Sequence, residues 1–282
     1  MSNFTDFISG GGGTLYTIPI TKSTTWTPPY NGTAVIHCIG AGGSGGTDNN
    51  TGNVSGGGAG GYCRKAVTLS TGTNWTMVVG AGGASVDNIS NGNAGGNTTA
   101  SDGSSTLTAN GGGAGLTNST AAVAGGSASG GDVNNTGGAG GHNGSMCGGG
   151  AVGVLGTGDA GEMGGIGNTI GNKQYGGHSD VQSPQFENTN GELRGGGRGG
   201  RFYNDTGFGS TNAGETINGG FLAGGGAAAI THDERRVAGG DGGIGGGGGS
   251  ANNAHTHSST EGYLASGEGG NGLILVMYTA IT

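Results

Sequence analysis

Apolar residues in this chain gather near its two ends, in short blocks of strand length. Leu15–Ile20 and Thr24–Trp26 are the first two, and Pro28-Pro29 then marks a turn. Residues 34–39, Ala-Val-Ile-His-Cys-Ile, form a continuous run rich in β-branched side chains, which suits a buried strand. Tyr62–Leu69 alternates, with Cys63, Val67 and Leu69 on one face. Residues 74–79 alternate with Trp75, Met77 and Val79 inward, and 104–109 is a weaker block. The last run, 273–278, lies some 160 residues after the others. These blocks predict a small two-layer β-sandwich, with Trp26 and Trp75 in its core and the C-terminal strand completing it.

Between the blocks the chain is dominated by glycine, 78 of 282 residues. Glycine at that density costs a helix about 1 kcal/mol per site relative to alanine. It also offers an ordinary sheet no side chains to pack. Only 9% of residues are charged, and no charged or Pro/Ser/Gln-rich tail marks the chain as disordered. Collagen is excluded by broken Gly-X-Y phasing, as at Gly148-Gly149-Gly150, and by only four prolines. What remains is the extended left-handed helix of three residues per turn, rising about 3.1 Å per residue. Where neighbours meet at glycine, such helices approach until backbone hydrogen bonds form between them. The fold class predicted is therefore mainly β and irregular, essentially without α-helix. A β-sandwich is joined to a polyglycine-II bundle with long polar loops. The expected layout is an attachment segment over 1–13 and a sandwich with the first glycine segments over 14–110. A bundle with variable loops follows over 111–271, and a returning strand over 272–282.

Composition narrows the function. Nine Lys and Arg residues, scattered, give no electrostatic footprint for nucleic acid. No apolar run reaches the length of a membrane span, and the start MSNFTDFIS has neither a basic nor an apolar signal region, so no secretory signal is expected. The cysteines, Cys38, Cys63 and Cys147, are odd in number and read as free thiols made in a reducing compartment. Cys38 and Cys63 fall on candidate neighbouring strands, with a bridge left open. Glycine strings such as 40–46 mimic phosphate loops, but no helix follows and no Gly-Lys-Ser/Thr appears. Acidic residues 187, 192, 215, 233, 234 and 261 form no pair that spacing brings together for glycoside hydrolysis. No enzyme and no cofactor are expected.

Candidate contact residues lie in the loops beyond residue 170. Aromatic and Arg side chains are the usual anchors of recognition, and here they are Tyr175, His178, Phe186, Arg198, Arg201, Phe202, Tyr203, Phe208, Arg235 and Tyr263. Residues 198–208 are the densest stretch. His255-Thr256-His257 places two imidazoles on one side of a strand, a pattern that three chains around an axis can turn into a metal site. Phe4 and Phe7, ahead of Gly10–Gly13, read as an apolar plug on a tether, suited to attachment.

The order of these junctions resembles the glycine-rich distal tail-fibre proteins of tailed bacteriophages. The residues that carry the resemblance are Thr25-Trp26-Thr27-Pro28, then 35–43 running from strand into Gly40-Ala41-Gly42-Gly43. They continue with 56–69, with 75–83 and with Gly269-Gly270-Asn271-Gly272 before the last strand. The resemblance implies a virion protein made in the host cytoplasm, whose end loops bind a host cell-surface receptor, an outer-membrane protein or a glycan. It implies other virion fibre or tail proteins as partners through the N-terminus, with neither nucleic acid nor membrane insertion. A glycine bundle closes within one chain or shares a core among three, and fibre architecture favours the homotrimer. A non-binding fibre, connector or capsid appendage is the alternative role.

Overall fold

A computed structural model describes residues 15–48, 53–142, 148–149, 157–158, 160–161, 204–205, 228–230, 237–253 and 264–280. No α-helix occurs among them. The strands are β1 (Leu15–Ile20), β2 (Thr24–Trp26), β3 (Gly32–Ile39), β4 (Thr47–Asp48), β5 (Tyr62–Leu69), β6 (Trp75–Val78), β7 (Thr98–Ser101) and β8 (Thr106–Ala109). They continue with β9 (Ala128–Ser129), β10 (Val133–Asn135), β11 (Asn204–Asp205), β12 (Ala228–Ile230), β13 (Val237–Ala238), β14 (Ala251–Asn253), β15 (Leu264–Ala265) and β16 (Leu273–Ala280).

Two five-stranded antiparallel sheets form the sandwich, in the orders β1-β16-β3-β5-β10 and β2-β6-β7-β8-β9. The apolar blocks read from the sequence supply its core: Ile36, Cys38, Cys63, Leu69, Trp75, Met77, Leu107, Ile274, Val276 and Tyr278 are all buried. The expected returning strand, β16, lies between β1 and β3. Strand β7, Thr-Thr-Ala-Ser, carries no apolar signal beyond Ala100, yet Thr98 and Ala100 are fully buried. The Thr98 hydroxyl accepts a hydrogen bond from Gly80 N–H at 3.1 Å, so a polar residue serves as core.

The chain does not leave the sandwich once at residue 110 and return only at its end. It re-enters the sheet edges at β9 and β10. Strands and glycine segments alternate instead: β3 runs into 40–46, 55–61 into β5, 92–97 into β7, β8 into 111–115, β10 into 137–141 and 267–272 into β16. Sandwich and bundle are thus continuous along shared chain segments.

The bundle is a lattice with a period of three. In segment 40–46 the amides of Gly40, Gly43 and Gly46 donate to Gly61, Gly58 and Ser55 carbonyls. Those of Ala41 and Ser44 donate to Gly96 and Asn93, and those of Gly42 and Gly45 to Gly270 and Gly267. Carbonyls of the same segment accept from Gly83, Gly112, Gly115, Gly248 and Ala251. Segment 40–46 therefore has six neighbours, around 55–61, 93–96, 267–270, 83, 112–115 and 248–251. Segment 55–61 is enclosed in the same way, donating to 110–116, 138–141 and 245–248 and accepting from 40–46, Gly126 and Gly149. Each bond contributes about 1 kcal/mol net, and they replace the large apolar side chains that the middle of the chain lacks.

Glycine is needed here for its missing Cβ. Among the described glycines only Gly72, Gly103, Gly130 and Gly245 have positive φ. At Gly112 a Cβ would stand 1.9 Å from the Gly58 carbonyl oxygen, and at Gly42 1.9 Å from that of Gly246. The exceptions to glycine fall on the same period: Ala41, Ser44 and Thr47 in one segment, Thr136, Ala139 and His142 in another. In the innermost segment these residues are small and buried; at the periphery Thr136 is exposed and Ala139 and His142 are half-buried. Side-chain oxygens complete the lattice where backbone carbonyls run out. Ser44 Oγ accepts from Asn93 N–H, Ser55 Oγ from Leu116 N–H, and Asn271 Oδ1 from Gly82 N–H, at 2.8–2.9 Å.

Candidate functional site

The two ends of the molecule differ in chemistry. At the sandwich pole the connections are short. Thr71 N–H is held by Asn31 Oδ1 at 2.7 Å, and Asp102 accepts from the Ser104 and Ser105 amides in a tight turn with Gly103 at φ 88°. The Ser105 amide holds the Asp102 carboxyl below the usual carboxylate range. Aromatic rings line this pole: Tyr16 stacks on Tyr278 at 4.9 Å between centroids, and on Tyr30 at 6.5 Å. Trp26 meets Tyr278 edge-on. Leu15, Tyr30 and Val78 are exposed large apolar residues of the sandwich. Strand β1 begins at this pole, because Leu15 pairs with Thr279, at the end of β16 remote from the lattice.

The opposite pole is a layer of short parallel strands. Strands β11, β12, β14 and β4 pair in that order, all running away from the sandwich, and β13 pairs with β15 beside them. The layer is polar inside: Thr47, Asp48, Ser250, Asn252 and Ser266 are buried. Ser266 Oγ accepts from Val86 N–H at 3.0 Å, and Thr47 N–H donates to the Ser90 carbonyl. The loop over 84–91 carries Ile89, 52% exposed, and takes a left-handed turn at Asn88, φ 56°, where asparagine is better tolerated than most residues.

This layer anchors the variable stretches. Residues 206–227, 231–236 and 254–263 are each flanked on both sides by its strands, and 162–203 ends at β11. All ten candidate contact residues fall in these four stretches: Tyr175, His178, Phe186, Arg198, Arg201, Phe202 and Tyr203 in 162–203, Phe208 in 206–227, Arg235 in 231–236 and Tyr263 in 254–263. They lie outside the described residues, as do His255, His257, Phe4 and Phe7. Among the described residues no group of His, Cys, Asp and Glu is placed to hold a metal ion.

One titratable site lies where sandwich meets lattice. His37 Nδ1 is 2.8 Å from the Tyr62 hydroxyl, on the outer face of β3 and β5. Beside them Ile244, at the tip of the 243–246 turn, packs against Ile39 and Tyr62, as do Leu273 and Val133. Burial, and then the nearby Arg64 charge, lower the His37 pKa from its ordinary 6.5. The unfolded chain then takes up this proton first. The contribution is present above pH 6.5 and is lost as pH falls below it. We expect urea midpoints to drop between about pH 7.5 and pH 5. His37→Gln should flatten that dependence, and an unchanged slope in the variant would contradict the assignment.

Residues 18–279 match the model of the glycine-rich domain, across both sheets and the lattice. The chain belongs to the glycine-rich domain family. No curated protein matches it.

Proposed function

We propose that this protein is a phage tail-fibre or virion-surface adhesin. It binds a host cell-surface receptor, an outer-membrane protein or a glycan, through the variable stretches carried at the lattice's outer end. The observation that supports the reading is polarity. The aromatic- and Arg-bearing stretches are tied to the layer at one pole, while β1, and with it the connection to residues 1–13, begins at the other. A stiff body with variable loops at one end suits recognition, and the opposite end is then free for attachment to other virion fibre or tail proteins. A non-binding fibre, connector or capsid appendage would use the same lattice as a spacer, but would have no need of aromatic and Arg side chains in long terminal stretches.

Whole-cell binding by the purified protein tests the proposal. Replacing residues 200–203 and 206–208 with Gly and Ser, which leaves β11 in place, is expected to reduce binding at least tenfold, while thermal melting is unchanged. That loss corresponds to about 1.4 kcal/mol or more, the scale of a single interface anchor. Equal binding by both versions would move the receptor contact elsewhere. No binding by the intact protein to any host strain its virion infects would favour the spacer role. Deleting residues 1–9 should leave melting unchanged and abolish incorporation into virions.

A further inference from the structure

Cys38 and Cys63 stand directly opposite each other in the β3–β5 register. Both are free thiols, and both are fully buried in the sandwich core. Directly opposed residues of an antiparallel pair have Cα atoms about 4.5–5.5 Å apart, inside the span of about 4.4–6.8 Å that a disulfide bridges. Their place in the chain gives a bond between them a consequence. Cys38 precedes Gly40 by two residues and Cys63 follows Gly61 by two, and Gly40 N–H donates to the Gly61 carbonyl. The pair closes the base of segments 40–46 and 55–61, each bonded to neighbouring segments on several sides among the described residues.

We propose that Cys38 and Cys63 form a thiol–disulfide site, which a hydroperoxide converts to a cross-strand disulfide that ties β3 to β5 just below the lattice. The two thiols have different roles. Cys63 accepts a hydrogen bond from Cys38 and a further one from the Thr108 backbone, and these lower its pKa against the opposing effect of burial. Cys38, as the donor of that bond and a buried thiol, is pushed up. Cys63 is therefore the thiolate that attacks. Its sulfur takes the terminal oxygen of the hydroperoxide, the O–O bond breaks, and the leaving alkoxide picks up a proton to become an alcohol. Cys38 sulfur then attacks the Cys63 sulfenic acid. The S–S bond forms, the S–O bond breaks, and hydroxide leaves as water with the Cys38 proton. Two thiols and one hydroperoxide give one disulfide, one alcohol and one water, with two electrons passing from sulfur to peroxide. Burial makes the step slow, since the peroxide must wait for local opening. Once formed, the bond is shielded from reductants by the same packing. The inference holds whatever the chain binds.

The test uses the full chain with Cys147→Ser, which leaves Cys38 and Cys63 as the remaining cysteines. The folded protein is incubated with hydrogen peroxide, then denatured with an alkylating reagent and weighed. Both thiols should become unalkylatable, with a loss of about two mass units that a dithiol reductant reverses. The oxidised protein should melt several degrees higher than the reduced one, because the closed loop restricts the unfolded chain. In Cys38→Ser, a dione probe should trap sulfenic acid on Cys63. Peptide mapping of the wild-type chain, with no substitution, should give the same 38–63 cross-link. Both thiols surviving as alkylatable, or separate oxidation of each sulfur without a cross-link, would overturn the proposal.

Discussion

Gly57→Ala is expected to abolish the native fold. The added Cβ would stand 2.0 Å from the Gly43 carbonyl oxygen, 2.5 Å from its carbon and 2.8 Å from the Ser44 oxygen. All three are backbone atoms of a segment that is itself enclosed, so no side chain can swing aside. Relief requires segments 40–46 and 55–61 to separate. That stretches the bonds Gly43 to Gly58, Gly40 to Gly61 and Gly46 to Ser55 together. Three bonds of about 1 kcal/mol each, added to the steric overlap, exceed about 4–5 kcal/mol, a large part of a domain's total stability. Gly72→Ala is the control. A Cβ there meets nothing within 4 Å, and the only penalty is the left-handed backbone at φ 85°. That costs about 1–2 kcal/mol. Soluble yield and urea midpoint should therefore fall far more at position 57 than at 72. Equal effects would show that backbone conformation, and not close approach, is why glycine is needed.

Ile36→Ala is expected to cost about 2–5 kcal/mol, the usual range for emptying a fully buried branched side chain. Ile36 sits at the centre of β3, opposite Val276 of β16 and Lys65 of β5, with no exposed surface. The more telling result is which parts melt. Strand β3 continues without a turn into segment 40–46, and β16, β5, β7 and β10 continue into other segments of the lattice. Loosening the sandwich removes the anchoring of those segments, so the bundle should unfold in the same transition. Trp fluorescence, which reports the sandwich through Trp26 and Trp75, and far-UV circular dichroism, which includes the lattice, should shift to lower denaturant together. Two separated transitions would mean that sandwich and lattice are independent units.

Strands β3 and β16 were legible because they are unbroken apolar runs, and β5 and β6 because Cys63, Leu69, Trp75 and Met77 alternate. Strand β7 was not, since its buried Thr98 looks like any loop threonine until its hydroxyl is seen to serve Gly80. The extended lattice followed from elimination of helix, collagen and ordinary sheet. Its inner rule was also present in the sequence: Ala-Gly-Gly-Ser-Gly-Gly-Thr at 41–47, Thr-Gly-Gly-Ala-Gly-Gly-His at 136–142 and Ala-Gly-Gly-Asp-Gly-Gly-Ile at 238–244 share a three-residue phase. Irregular spacing between the segments hides that phase along the chain. Which segment neighbours which cannot be read from it, because every segment presents the same glycine faces to its neighbours. That choice is set by where the strands enter the sandwich. The candidate contact residues stood out by type alone; that their four stretches attach to one layer depends on the parallel pairing of two- and three-residue strands, which carry no periodic signal.

Glycine amides in the middle of the chain are bonded between segments. Hydrogen exchange on protein labelled selectively at glycine measures this directly. The amides of Gly43, Gly57, Gly58 and Gly112 should exchange only through global unfolding, as slowly as the sandwich core. Gly72 and Gly103, at open turns, should exchange orders of magnitude faster. Fast exchange at Gly43, Gly57, Gly58 and Gly112, with the sandwich amides still protected, would contradict the lattice.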